Sequence, residues 1–390
     1  MIGSNFFFKK IIKNRINWIA FVLMVTVLCV VAYMNVRTVS HYKLESRLNM
    51  YVDKVEEAIS DSSSELEHMD KDTDEYKYAK INRENLLNRH ELNKKIISFL
   101  KEKNWHAAYK LQAQIEDDNY EAATERDSGL SKELIMAIDR QGKLYHELSK
   151  LNIEEHYSDF PTYGIDMMIG SATYLVPLIF ILCLIFVLSQ SFCDRYKDRI
   201  DIVNLLPYSK LKYCFRSILS GFGYALLTLL AFLAVSFLLG FFISGAGTLE
   251  YPHLCFSAEE QVYYFKPMGD VIIPSMILVI LSIFVVVQTI YFISGIFMNK
   301  MSTLFISILV ILGFLFGINS IQPIQTVAHL IPFTYLRGFD VYSGILNKIW
   351  ERGNLNFDTG IIVLVASIAI LSILILILEK SKDMRLKKLR

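Results

Sequence analysis

The side chains of this sequence that could do chemistry stand at spacings that build no reaction centre. Six of the eight histidines fall between residues 38 and 164, at His41, His68, His90, His106, His146 and His156. No two of them are three or four positions apart, so no helical pair of metal ligands forms. The five cysteines, Cys29, Cys183, Cys193, Cys214 and Cys255, make no CxxC. None lies in residues 38–164, which excludes a disulfide framework for that block. They read as small apolar residues in or near apolar helices. There is no GxSxG, no HExxH and no paired-carboxylate signature for a hydrolase to use. A GxxxxGK[ST] phosphate loop is also absent, so the chain does not hydrolyse ATP by that route itself. We expect no catalytic residue, no metal ligands and no cofactor held by this chain.

What remains is interfacial chemistry. Between residues 194 and 212, Ile200, Val203 and Leu206 can share one helical face, with Arg195, Asp198, Arg199 and Asp201 around it. Pro207 then stops the helix. The pattern predicts a short amphipathic helix that grips a partner and passes on its movement. Near the N-terminus, Phe8, Ile11, Ile12 and Ile16 recur at helical spacing against Lys9, Lys10, Lys13 and Arg15. Residues 1–17 are therefore expected to lie as an interfacial helix on a membrane surface.

The elements that position these segments follow from hydropathy. Hydrophobic residues make up 53 % of the chain, and the net charge is +1, too small for a field that attracts nucleic acid. Six runs, at 18–36, 167–192, 218–243, 271–298, 303–318 and 360–378, contain no Lys, Arg, Asp or Glu. A charge at mid-bilayer costs about 2.5–3.5 kcal/mol on insertion scales, so six clean runs predict six membrane spans. The first run would reach roughly 28 Å as a helix, and no small-x-small cleavage site follows it. It is read as a retained span. The expected fold class is an all-α integral membrane protein.

Lys and Arg near the span ends set the direction. Basic residues crowd the N-terminus, the 194–216 segment, Lys300 and the tail after residue 379. With six spans these four places share one side, so both termini are expected in the cytoplasm. The 246–270 loop lies opposite, with Glu250, Glu259, Glu260 and Asp270 against Lys266 alone. The 38–164 block, with 26 Asp and Glu against 18 Lys and Arg, is then outside. Leu44, Leu48, Tyr51 and Val55 step at helical spacing there, as do Tyr78 and Ile81, and Leu92, Ile96 and Leu100. Two further stretches, 105–125 and 132–151, follow. Two to four long helices packed as a stalk are expected, with solvated charged faces. A sharper alternative gives that acidic surface a cationic peptide as partner.

The expected boundaries are 1–17 for the interfacial helix, 18–37 for the first span and 38–164 for the external helical domain. The second span is 165–193, the cytoplasmic coupling helix 194–215, and the third to fifth spans 216–320. Residues 321–358 form an outer segment, 359–379 the sixth span and 380–390 a basic cytoplasmic tail. Ion-coupled carriers usually need ionisable groups inside the membrane. These spans hold none, so energy for any transport must come from elsewhere.

Two stretches carry a resemblance. The "LLPYS" at 205–209, between the second and third spans, resembles the segment of type-2 ABC transporter permeases that precedes their next span. The "LIPFTYLRGFDVYSG" at 330–344 is similar to the "lPfty…d…sG" stretch of the same family. The order of features also resembles it over residues 1–37 and 165–390. The resemblance implies that 194–212 docks into a separate ABC ATPase through Arg195, Arg199, Ile200, Val203, Leu206 and Pro207. It implies a re-entrant segment bearing Pro332, Tyr335, Arg337, Asp340 and Gly344. It further implies ATP and Mg on the partner ATPase, and a second copy or homologous permease. Membrane lipid would surround them in a bacterial cell membrane, and the cargo would be an amphipathic peptide or lipid-like molecule. The 38–164 block departs from the many members with a short loop there. An ATPase-independent receptor or scaffold, using that block as its binding module, is the alternative.

Overall fold

The computed structural model describes residues 13–125, 129–197, 200–205, 209–351 and 353–388. The expected interfacial helix therefore lies mostly outside the described residues. The first span is α1 (Arg15–Tyr42), and Lys43 leaves helical geometry before α2 (Leu44–His68). Helices α3 (Asp74–Lys101), α4 (Trp105–Thr124) and α5 (Lys132–Leu151) complete the polar block. It is thus four long helices packed as two hairpins. Thr73, Asn104 and Ser131 cap the last three, each accepting from a backbone N–H three residues on.

Leu44, Leu48 and Val55 are buried as their spacing predicts, but Val52 takes the inward place expected of Tyr51. Tyr78 and Ile81 are 75 % and 56 % exposed, because the start of α3 runs past the packed part of its hairpin. The core of the second hairpin is Ala108, Tyr109 and Ile115 against Tyr145 and Leu148.

The second span joins α6 (Gly164–Gly170), a π-helical stretch (Ser171–Phe180) and α7 (Ile181–Cys193) without a break. Pro177 has no N–H for the carbonyl four residues back, and the helix widens around it. Short strands β1 (Tyr196–Lys197) and β2 (Ile200–Asp201) and a 3₁₀ turn (Ile202–Leu205) follow. The third span is α8 (Lys210–Ser244). Strands β3 (Pro252–Ser257) and β4 (Val262–Pro267) form an antiparallel hairpin where the sequence suggested only a loop. The fourth and fifth spans are α9 (Met268–Phe297) and α10 (Lys300–Ser320). Asn299 turns the chain between them, accepting from the N–H groups of Met301 and Ser302.

Short helices α11 (Gln322–Thr326), α12 (Gly338–Tyr342) and α13 (Ile345–Ile349), with 3₁₀ turns between them, lead to the sixth span, α14 (Phe357–Lys388). Among the described residues, six helices are long and apolar enough to cross a bilayer, and the chain is a multi-pass membrane protein. The fold is all-α in its spans, with two small β-hairpins added at their ends.

The fourth span is central, with Val286, Val287 and Ile290 fully buried. Val22 and Leu23 of the first span, and Ile362, Val365 and Ile370 of the sixth, face outward as lipid-facing residues would. Small residues let backbones touch. A Cβ on Gly240 would stand 2.6 Å from the Tyr163 carbonyl oxygen, where the third span crosses the start of the second. The first N–H groups of the second span, on Gly164 and Ile165, donate to the carbonyls of Gly245 and Ala246 at 2.9 Å.

Gly344 has φ +74°, and a Cβ there would lie 2.3 Å from the Phe256 carbonyl oxygen of β3. Gly344→Ala should cost at least roughly 1–3 kcal/mol of stability, read as a lower melting temperature. Gly223→Ala, at a helical site with nothing within 4 Å, should not lower it.

Candidate functional site

The two segments singled out in the sequence lie at opposite ends of the spans. At one end, Arg195 is buried with Asp201 and Glu379. Its Nε donates to Asp201 Oδ1 at 3.1 Å, and a second bond links Nη2 to Asp201 Oδ2. Nη1 and Nη2 donate to the two oxygens of Glu379, both at 2.9 Å. Nη1 also reaches the hydroxyl of Tyr291 at 2.5 Å. One guanidinium thus ties the 194–205 segment to the sixth span through Glu379 and to the fourth through Tyr291. Planar bidentate pairing of this kind is a property of Arg rather than Lys. Removing one partner of such a buried set costs about 3–5 kcal/mol.

This contact also explains why the described part of 194–207 is not the expected helix. In an α-helix, residues six apart lie about 9 Å apart along the axis and on different sides. Arg195 and Asp201 meet because β1 and β2 fold back on each other. Asp201 Oδ1 then accepts the N–H of Val203 at 3.1 Å, which starts the 3₁₀ turn. Val203 is buried and Ile202 is 36 % exposed, so Ile202 presents the apolar surface here. Ile200 sits in β2 opposite Lys197. Arg199, Leu206 and Pro207 lie outside the described residues.

At the other end, Pro332, Tyr335, Arg337, Asp340 and Gly344 come together in the short turns before the sixth span. Pro332 opens a 3₁₀ turn running to Arg337. Tyr335 is fully buried and donates to the His329 carbonyl at 2.7 Å. Arg337 Nε donates to Asp340 Oδ2 at 2.8 Å, and Nη1 to Asn319 Oδ1 at 3.2 Å. These turns pack against the fourth span, where a Cβ on Gly338 would meet the Ser275 carbonyl.

Above this end, the polar helices meet the spans around a buried network that local sequence patterns do not reveal. Arg47 Nη2 donates to the Tyr145 hydroxyl at 2.9 Å, and the Tyr157 hydroxyl donates to Glu155 Oε2 at 3.1 Å. The N–H of Glu155 donates to the Tyr109 hydroxyl at 2.7 Å. His156 is stacked between Tyr163 and Tyr251, with ring centroids 3.8 and 4.2 Å away. Its Nδ1 lies 2.6 Å from Asp166 Oδ2. Arg47, Glu155, His156, Asp166, Tyr251 and Asp340 all line one cavity of about 310 Å³. Among the described residues, no group of three or more His, Cys, Asp or Glu side chains could hold a metal.

The sequence matches no family model, no curated protein and no solved structure. The site must be read from its own geometry.

Burial pushes the Glu155 carboxyl up to about 7, against the pull of Arg47 and the Tyr157 and Tyr145 hydroxyls. A raised carboxyl means that the fold favours the neutral form. This contribution is fully present below the ordinary value of 4.5 and is lost as pH rises to about 7. Glu155→Gln should remove that loss. The melting temperature of the native protein should fall from pH 4.5 to 8 relative to that of the variant, and parallel profiles would contradict this.

Proposed function

We propose that the chain is the permease subunit of an ATP-driven exporter whose ATPase is a separate polypeptide. The observation that carries this reading is the Arg195 cluster. A push on the 194–205 segment reaches the fourth and sixth spans through Glu379 and Tyr291, as well as the second and third spans that flank it. That is the mechanical link a coupling element needs. The apolar middles of the spans support the same reading, since they carry none of the charged groups that ion-coupled carriers usually use. The ATPase would bring ATP and Mg, a second copy or homologous permease would complete the pathway, and the cargo would be an amphipathic peptide or lipid-like molecule. The setting would be a bacterial cell membrane. The four-helix block and the cavity beneath it also favour a second reading, a receptor that works without an ATPase.

Among the described side chains of the coupling turn, Ile202 is an exposed apolar one, so its replacement separates docking from folding. Purification of the chain in mild detergent should bring an ATPase with it, and Ile202→Asp should remove that ATPase while leaving the melting temperature unchanged. Equal recovery with the variant would refute docking at this turn. Absence of any ATPase from the native preparation would favour the receptor.

A further inference from the structure

Two charged side chains of opposite sign, each with buried polar atoms lacking a hydrogen-bond partner, line the cavity between the polar helices and the spans. Asp166 stands in the first turn of α6 with its side chain 3 % exposed. Its Oδ2 is close to His156, but neither carboxylate oxygen has a hydrogen-bond partner. Arg47 comes from α2. Its Nη2 is used by Tyr145, and its buried Nε–H has no acceptor. A buried donor or acceptor left alone costs about 1–3 kcal/mol, and more when charged.

Of the other charges of the cavity wall, Asp159 is exposed to solvent and the rest are held. Asp340 is held by Arg337, Arg140 lies over the Tyr263 ring, and Glu155 accepts from Tyr157. Asp166, beside His156, and Arg47 keep buried hydrogen-bonding positions open that a ligand would satisfy. Apolar walls come from Ile169 and Phe339, while Tyr42 and Tyr174, 50 % and 57 % exposed, bring the cavity to the surface. Its volume of about 310 Å³ lies at the small end of ligand pockets, roughly 300–1,000 Å³.

We propose that this cavity binds a small amphipathic zwitterion, with its primary ammonium on Asp166 and its carboxylate or phosphate on Arg47. A short peptide with free termini and an ethanolamine phospholipid headgroup share this chemistry. As a statement about cargo the proposal rests on the permease reading, whereas the binding itself does not.

The test is calorimetric titration of the purified full chain in detergent with two probes, leucyl-phenylalanine and glycerophosphoethanolamine. Saturable binding of the dipeptide identifies a peptide-like source, and binding of the phosphodiester a headgroup. Acetylating the dipeptide amine, amidating its carboxylate, or replacing ethanolamine by choline should each weaken binding by about tenfold or more. Asp166→Asn and Arg47→Gln should do the same. Failure of both probes to bind would overturn the proposal, as would binding indifferent to the loss of either ligand charge. The analogue series uses the native protein, so a variant that fails to fold does not spoil the test. No ATPase is present in it, so this result and the pull-down fail independently.

Discussion

Hydrocarbon offers no hydrogen-bond partner, so the backbone of each span is paired within its helix and charged side chains are carried to the helix ends. The six spans are uncharged along their apolar lengths, and the charged chemistry gathers at their two ends. At one end Arg195 is locked between Asp201 and Glu379. At the other, Asp166, His156, Arg47 and Glu155 crowd the junction with the polar helices. The second span connects the two. It starts beside Asp166 and ends at Cys193, two residues before Arg195.

That connection gives the functional reading its physical content. A rigid helix transmits force along its axis, and the second span is among the most enclosed of the six. Its π-helical stretch around Pro177 is the point where its backbone departs from α geometry. Such stretches occur often at functional sites. The third span is fastened to it near the cavity end, where Ser236 donates to the Met167 carbonyl at 2.8 Å and shares a bond with Ser171 at 2.7 Å. Movement at the Arg195 end therefore has a stiff route to the cavity end, through helices that also pack on the fourth span.

The spans were legible in the sequence because absence of charge over some twenty residues is a local signal. The helices of the polar block were legible for a similar reason, in apolar residues at helical spacing. The hairpin at 196–201 was not legible. Arg195, which pairs with Asp201 across it, also meets Glu379, 184 positions away, and no local period encodes that contact. The β3–β4 hairpin left a trace in the run Val262, Tyr263, Tyr264 and Phe265, whose aromatic and branched side chains favour strands. The cavity left none, because Arg47, Glu155, Asp166 and Tyr251 come from separate segments and each looks ordinary in its own.

In the proposed permease, the polar helices and the Arg195 cluster occupy opposite sides of a membrane. Ser98 in α3 and Ser209 at the start of the third span are both exposed, and each can be replaced by cysteine in a chain whose five native cysteines are removed. A membrane-impermeant maleimide applied to intact cells should label Ser98→Cys at once, and Ser209→Cys only after the membrane is opened. Labelling of both positions from the same side would contradict the account.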